Sequence, residues 1–528
     1  MKKRSLILFC SVLCILLLTA CSKKTEITQS PEQNLSPDSA QKITPVQGGS
    51  ISIYSPKPDS FCPIRTQNPQ TISMLNLIFD KLIITSSAMT ATPNLADSWS
   101  VSDDGLQWNV KLRNDVLWHD NTPFVAADVV YTVNQIRTDS TNYYRKNVEQ
   151  VSKITAVGQH EVQIQLKTPQ TNFINLLCIP IIQNQRGAVD KDSFAVIGTG
   201  AFCFEDRGEI NSLFLKRNEN WWKSSPYLDS ILIKMLPDKD TALYSFSSGD
   251  IDLIAVDSAD LGSKVDTTNA GYLNYSTNKF HFLGFNNAHA VLKNIEVRQA
   301  ISLAIDREKL VNGILNGNAR PAIVPLDTTW ELYSSDSVQS LNPDIERAKT
   351  VLEEHGWENI DGIYQKKVGS NTVKLQFELL VNNSNITRVQ AGAYLANLLR
   401  NIGIEVTLKE VSFSDYNRLI NNRNYEMFLG AFDIDEDLDY TFMLGNKNIF
   451  NYRSDTMNTL LREMQKAVTH TGQKDKYAQF QKTFCEEVPL TGLYFENASM
   501  LYNKRMHGSF SPSSDSIYNG LENVFVIH

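Results

Sequence analysis

The chain is poor in the residues that metal and redox chemistry need. Its 528 residues include eight histidines and seven cysteines. None of them forms an HExxH or CxxC pair, so neither a helical zinc site nor a dithiol redox centre is written into it. There is also no GxSxG elbow, no phosphate-cradling P-loop and no GxGxxG turn. That removes the usual signatures of serine hydrolases, nucleotide triphosphatases and dinucleotide enzymes. An excess of positive charge is missing too: 50 basic against 58 acidic side chains leave a net charge of -8, which argues against a phosphate-backbone partner, and no nucleic acid is expected. After the first twenty residues no segment has eighteen consecutive apolar residues, so no later part of the chain reads as a membrane-spanning helix.

What is present begins at the N-terminus. Lys2, Lys3 and Arg4 precede an apolar stretch from Leu6 to Leu18, a charged region and a short hydrophobic region with the pattern of an export signal over residues 1–20. The following Leu18-Thr19-Ala20-Cys21 resembles the bacterial lipobox, which implies a lipid on Cys21 and anchorage of the mature chain to the membrane. Residues 21–47 are rich in Ser, Thr, Gln, Lys and Pro and cannot bury enough apolar surface to order themselves. As a flexible tether they would reach about 25–30 Å. Cys10 and Cys14 belong to the signal, leaving Cys62, Cys178, Cys203 and Cys485 in the mature body. Cys178, inside "FINLLCIPII", reads as a small buried hydrophobe, and free buried thiols are the expectation for these four.

With 42% apolar and 9% aromatic residues, a chain this long should divide into two to four lobes or domains. Residues 94–166 alternate as strands, at Leu106, Trp108, Val110 and Leu112 and again at Val162, Ile164 and Leu166, with a helix over residues 125–136. From Ile295 the spacing becomes helical. Asp306 can cap a second helix, and Asn342-Pro343 starts a third. Then "VKLQFELLV", a helix over residues 387–401, "GIEVTLKEV", a short helix over residues 415–421 and a strand over residues 425–432 follow in turn. This βαβαβ order implies a parallel sheet covered by helices, with ligands beyond the carboxyl ends of the strands. At one such end stands "GAFDIDEDLDY", with five acids in seven positions.

The block "NLADSWSVSDDGLQWNVKLRNDVLWHDNTPFVAADVVYT" resembles the signature of the extracytoplasmic solute-binding proteins of peptide-type ABC importers, the oligopeptide, dipeptide and nickel group (family 5). "GTGAFCF", "LKRNENWWKSSPYLDSI", "FSSGDIDL", "LGFNNAHAVLKNIEVRQAISLAIDREKLV" and "NPDIERAKTVLEEHGW" follow in the same order, so the resemblance runs over residues 51–508. It implies an α/β fold of the two-lobed periplasmic-binding-protein type (class II, or cluster C), with mixed sheets flanked by helices and an extra inserted domain. Lobe I would comprise residues 48–79, 191–276 and 494–528, the inserted domain residues 80–190, and lobe II residues 277–493. The resemblance further implies no catalysis and no cofactor. The implied partners are a short peptide or similar small solute and separate ABC permease and ATPase subunits, with the protein itself acting as a monomer.

The family sets an ammonium-binding Asp four residues past a strand-end glycine. Here that offset from Gly430 falls on Ile434, flanked by Asp433 and Asp435. A one-residue slip would restore either carboxylate; the competing reading is an acidic surface loop. An EF-hand is rejected because its sixth position is Leu438 and its twelfth Leu444, where glycine and a bidentate Glu are required. Arg388 resembles the position from which dipeptide binders hold the ligand carboxylate, a task suited to the guanidinium fork. Gln67 and Asn68 match the loop that meets the ligand backbone, and Phe432 could pack on the ligand or in the core. His281 and His289 flank "LGFNNA" and read as ordinary histidines. The alternatives left open are the same scaffold holding a nonpeptide such as chelated nickel, a metallophore or an oligosaccharide, and a lipid-anchored peptide sensor.

Overall fold

The computed structural model describes residues 44–184, 195–205, 207, 210–257 and 270–527. The expected signal, Cys21 and most of the tether lie outside these residues, as does the expected boundary at residue 190.

Strand β1 (Ser50–Ser55) alternates buried and open positions. Helix α1 (Pro69–Leu75) follows, with proline at its start and the Asn68 side chain accepting the N–H groups of Gln70 and Thr71. This is a helix N-cap, which satisfies two donors that the first turn leaves free. Strands β2 (Ala96–Val101), β3 (Gln107–Leu112), β4 (Val151–Ala156) and β5 (Glu161–Leu166) then form an antiparallel sheet in the order β2-β3-β5-β4. Trp108, Val110, Val162 and Ile164 project from it into an apolar cluster of their own, drawn from residues 62–182. Helix α2 (Ala126–Thr138) covers this sheet, burying Val129, Val133 and Ile136. Its Asp128 carboxylate accepts the Val125 N–H at 2.9 Å, the N3-to-N-cap half of a capping box, while the Val125 side chain supplies no cap.

The chain next lays down β6 (Phe202–Glu205), β7 (Ser212–Arg217), β8 (Ser230–Met235), helix α3 (Lys239–Ser247) and β9 (Leu253–Asp257). A long strand, β10 (Ala270–Phe285), leads to helices α4 (Ile295–Ala304) and α5 (Arg307–Ile314), the latter capped by Asp306. The third expected helix is α6 (Ile345–Glu354), and the side chain that caps it is Asp344, one residue past the expected Asn342-Pro343 start. The βαβαβ unit comprises β11 (Gln376–Asn382), α7 (Ile386–Asn401), β12 (Glu405–Val411), α8 (Phe413–Asn421) and β13 (Met427–Asp433). Helices α9 (Asp455–Lys466) and α10 (His470–Glu487) precede a second long strand, β14 (Leu490–Asn503).

Ten of these strands join one mixed sheet in the order β12-β11-β13-β10-β14-β9-β1-β8-β7-β6, with Ala319–Pro321 added against β14. At one end β11 runs parallel to β12 and β13; at the other β1 runs parallel to β8 and β9. Among the described residues, the antiparallel pair β10 and β14 connects the two ends. Its register breaks between Ser276 and Phe280. Before the break the strands pack with a cluster that includes Ile51, Ile53, Leu253 and Met500; beyond it they join a separate cluster that includes Phe280, Leu379 and Met427. Two apolar cores thus share one pair of crossing strands, and the residues at the break are the natural place for the chain to bend.

Candidate functional site

The carboxyl ends of β11 and β13 lie side by side and carry the two candidate charged groups. Gly430 allows β13 to pass its aromatic neighbours, since a Cβ there would come within 2.8 Å of the Phe282 and Phe428 rings. Phe432 stacks on Phe282 at 5.1 Å and meets the Phe442 ring edge-on at 5.3 Å, so it forms part of an aromatic wall within the protein. Asp433 is exposed and pairs in register with Lys279 of β10.

Beyond Asp433 the acidic loop turns inward. The Ile434 N–H bonds to the Asn278 carbonyl at 3.0 Å, and the Leu438 N–H closes a turn on the Asp435 carbonyl at 3.0 Å. Leu438 adopts φ 53, a left-handed conformation costing a leucine roughly 1–2 kcal/mol. Burial of its side chain and a 3.0 Å bond from the Tyr477 hydroxyl to its carbonyl hold it there. The carboxylates have separate partners. Asp435 pairs with Lys146, from the short 3-10 turn Lys146–Val148 before β4. Asp437 accepts from Gln170 Nε2 at 3.4 Å and from the Asp439 N–H at 3.2 Å, and Asp439 caps the Thr441 N–H at 2.9 Å. Asn175 Nδ2 donates to the Glu436 carbonyl at 3.0 Å. Burial, with the nearby Asp515 and Asp435 charges adding and Lys81 opposing, pushes the Glu436 carboxyl up to about 7.

Arg388 stands at the start of α7, its N–H accepted by the Asn385 cap at 2.9 Å. Its guanidinium carbon lies 5.9 Å from the Tyr416 ring centre, and its Nε is buried without an acceptor. The Arg388 charge also acts on groups of the crossing strands. His281 Nε2 donates to Glu496 at 3.0 Å, the imidazole stacks on Tyr494 at 4.5 Å, and Lys279 Nζ lies 3.8 Å from the same carboxylate. Burial, reinforced by Arg388 and Lys279, pushes the His281 imidazole below its ordinary range. Burial also opposes the charge of Glu496, yet His281, Lys279 and Arg388 together hold its carboxyl below the usual glutamate range. A neutral histidine donating to an ionised glutamate satisfies both shifts.

The remaining candidates are already engaged. Gln67 Nε2 donates to the Thr141 carbonyl at 3.0 Å, and the Asn68 oxygen caps α1. His289 lies 3.6 Å from Glu426. All four mature cysteines are free, with Cys62, Cys178 and Cys485 buried and Cys203 half-buried. Among the described residues no cluster of three metal-ligating side chains occurs. Reading the sequence missed Lys146, Lys279 and Glu496, which come from three distant segments with no local motif. His281 was noted, but its glutamate partner on β14 carried no sequence signal.

Residues 90–450 match the bacterial extracellular solute-binding proteins, family 5 (middle). The chain belongs to this family. The oligopeptide-binding protein AppA of Bacillus subtilis (strain 168) is 25% identical to it over 547 residues, covering 98% of each chain. Among solved structures, the ABC transporter substrate-binding protein CtaP of Listeria monocytogenes superposes with a TM-score of 0.76 at 22% identity, covering 91% of this chain and 100% of that one. B. subtilis AppA in complex with a nonapeptide gives a TM-score of 0.63 at 23% identity, covering 92% and 100%. As a family 5 protein the chain is a solute-binding component of ABC transport that works outside the cytoplasm and is not an enzyme. The expected two-lobed α/β fold, with mixed sheets flanked by helices, is the fold of these neighbours. Among the described residues no helix is long and apolar enough to cross a membrane.

Proposed function

We propose that the protein captures short peptides at the cell surface and delivers them to an ABC permease driven by separate ATPase subunits. In this reading residues 48–79, 191–276 and 494–528 form lobe I, residues 80–190 the inserted domain and residues 277–493 lobe II. The peptide lies between the lobes, with its backbone paired by exposed strand and loop groups. The separate apolar cores that share β10 and β14 support this division. The observation that carries the reading is Arg388: a guanidinium at the carboxyl end of a parallel strand, with a buried Nε that has no acceptor, suits a ligand carboxylate. Gln67, Asn68, Phe432 and the Asp433–Asp435 segment would border the rest of the ligand. Cys21 would carry the lipid, and residues 21–47 would give the monomeric binding body its reach. Micromolar to nanomolar affinity, about -8 to -12 kcal/mol, suits capture followed by release.

The test is mass spectrometry of solutes that co-purify with the mature protein without a tag. Short peptides are the expected result; glycans or metal chelates in their place would overturn the peptide assignment.

A further inference from the structure

We propose that Lys146 takes the place of a ligand cation at the acidic loop, so that the site requires a free carboxylate of its peptide but no free α-amine. The inference rests on the cleft reading above and deepens it.

Of the five acids in the loop, Asp435 is paired with Lys146. Asp437 and Asp439 are engaged by Gln170 and by loop N–H groups. Glu436 lies near the Asp515 and Asp435 charges. Asp433 lies at the strand end opposite Lys279.

The Lys146–Asp435 pair is half-exposed and would carry little weight alone. It is reinforced, however, by contacts from the same part of the chain. Asn172 Nδ2 donates to the Asp437 carbonyl at 3.3 Å, Asn175 Nδ2 to the Glu436 carbonyl at 3.0 Å and Gln170 Nε2 to the Asp437 carboxylate. These amides seat the loop against residues 170–175, which are tied to the Lys146 turn by the Asn147 Nδ2 bond to the Leu176 carbonyl at 2.8 Å. Burial works against the Lys146 charge, yet the bond to Asp435 and the fields of Asp437 and Asp439 hold the ammonium above the ordinary lysine range. A tethered ammonium competes at the high effective concentration of an intramolecular partner, whereas a ligand amine must displace it from dilute solution.

The neighbouring Arg388 side of the site differs in charge. There Lys279 Nζ lies 3.8 Å from the Glu496 carboxylate, which also accepts from His281 and is held below the usual range in part by the Arg388 charge. Arg388 Nε is buried there without an acceptor, so a ligand anion is favoured where a ligand cation is not.

The experiment offers the mature protein an equimolar peptide pool in three forms, free, N-acetylated and C-amidated, and counts captured species by native mass spectrometry. The wild type is expected to hold free and N-acetylated peptides within about twofold of each other and to capture C-amidated ones at least tenfold less. Lys146→Met should shift capture at least tenfold toward free amines by releasing Asp435. Asp435→Asn, which breaks the same contact without freeing a carboxylate, should keep the wild-type ratio. A tenfold wild-type preference for free amines, or an unchanged ratio in Lys146→Met, would overturn the role of Lys146 and leave the peptide assignment standing. Equal shifts in both variants would reduce Lys146 to a structural contact and also overturn it. Capture of no peptide in any form would instead overturn the peptide assignment itself.

Discussion

The acidic loop and the Arg388 end lie on neighbouring strands of one parallel unit, yet they treat charge in opposite ways. The loop is dense in carboxylates but engages most of them internally, with Lys146, backbone N–H groups and amide side chains. The Arg388 end has a single arginine and leaves its buried Nε without an acceptor. The difference teaches that the number of charges in a segment says little about the charge offered to a ligand, because a carboxylate already paired or capping a turn has less to gain from a further partner.

The largest test of this contrast is Arg388→Ala, which should weaken peptide binding by on the order of 2–3 kcal/mol, more than thirtyfold, as measured by isothermal titration calorimetry. Unchanged affinity would break the comparison. Next is Glu436→Gln. The Glu436 carboxyl holds its proton more tightly in the folded protein, so its ionisation costs stability, and that cost grows as pH rises from about 4.5 to about 7. The wild type should therefore lose on the order of 2 kcal/mol across that window at this site, and Glu436→Gln should lack this component when denaturant midpoints are compared at pH 5 and pH 7.5. Identical pH profiles would show that Glu436 is solvated like an ordinary surface acid. Asn68→Ala should cost about 1 kcal/mol of stability through loss of the α1 cap, seen as a lower denaturation midpoint with little change in affinity. A loss of affinity without a loss of stability would make Asn68 a direct ligand contact and not a helix cap. Smallest is Asp433→Asn, expected to change both stability and binding by less than about 0.5 kcal/mol; a tenfold loss of binding would make Asp433 the amine acceptor.

Much of the fold was legible because its signals are local. The alternation at Trp108, Val110, Val162 and Ile164 marked the antiparallel sheet, and the strands and helices of residues 376–433 appeared in the expected order. Capping residues such as Asp306 announced helix starts, although α6 begins from Asp344 because that side chain reaches the Arg347 N–H. The sites were less legible. Asn68 and Gln67 read as ligand-facing polar groups, but the one sits where a helix needs a cap and the other where a neighbouring carbonyl needs a donor. Polar side chains satisfy whichever backbone group is nearest, and sequence does not show which that will be.

By itself the sequence determined the periodicities, the caps, the turn positions and the order of family blocks, since each depends on residues a few positions apart. Only the tertiary structure decided that Lys146 meets Asp435 across 289 positions, that Glu436 lies near the Asp515 charge, and that His281 and Glu496 meet across 215 under the influence of Arg388. Electrostatic pairing acts over a few ångströms of space regardless of separation along the chain. Which charges remain for a ligand is therefore settled when the strands cross and the loops dock.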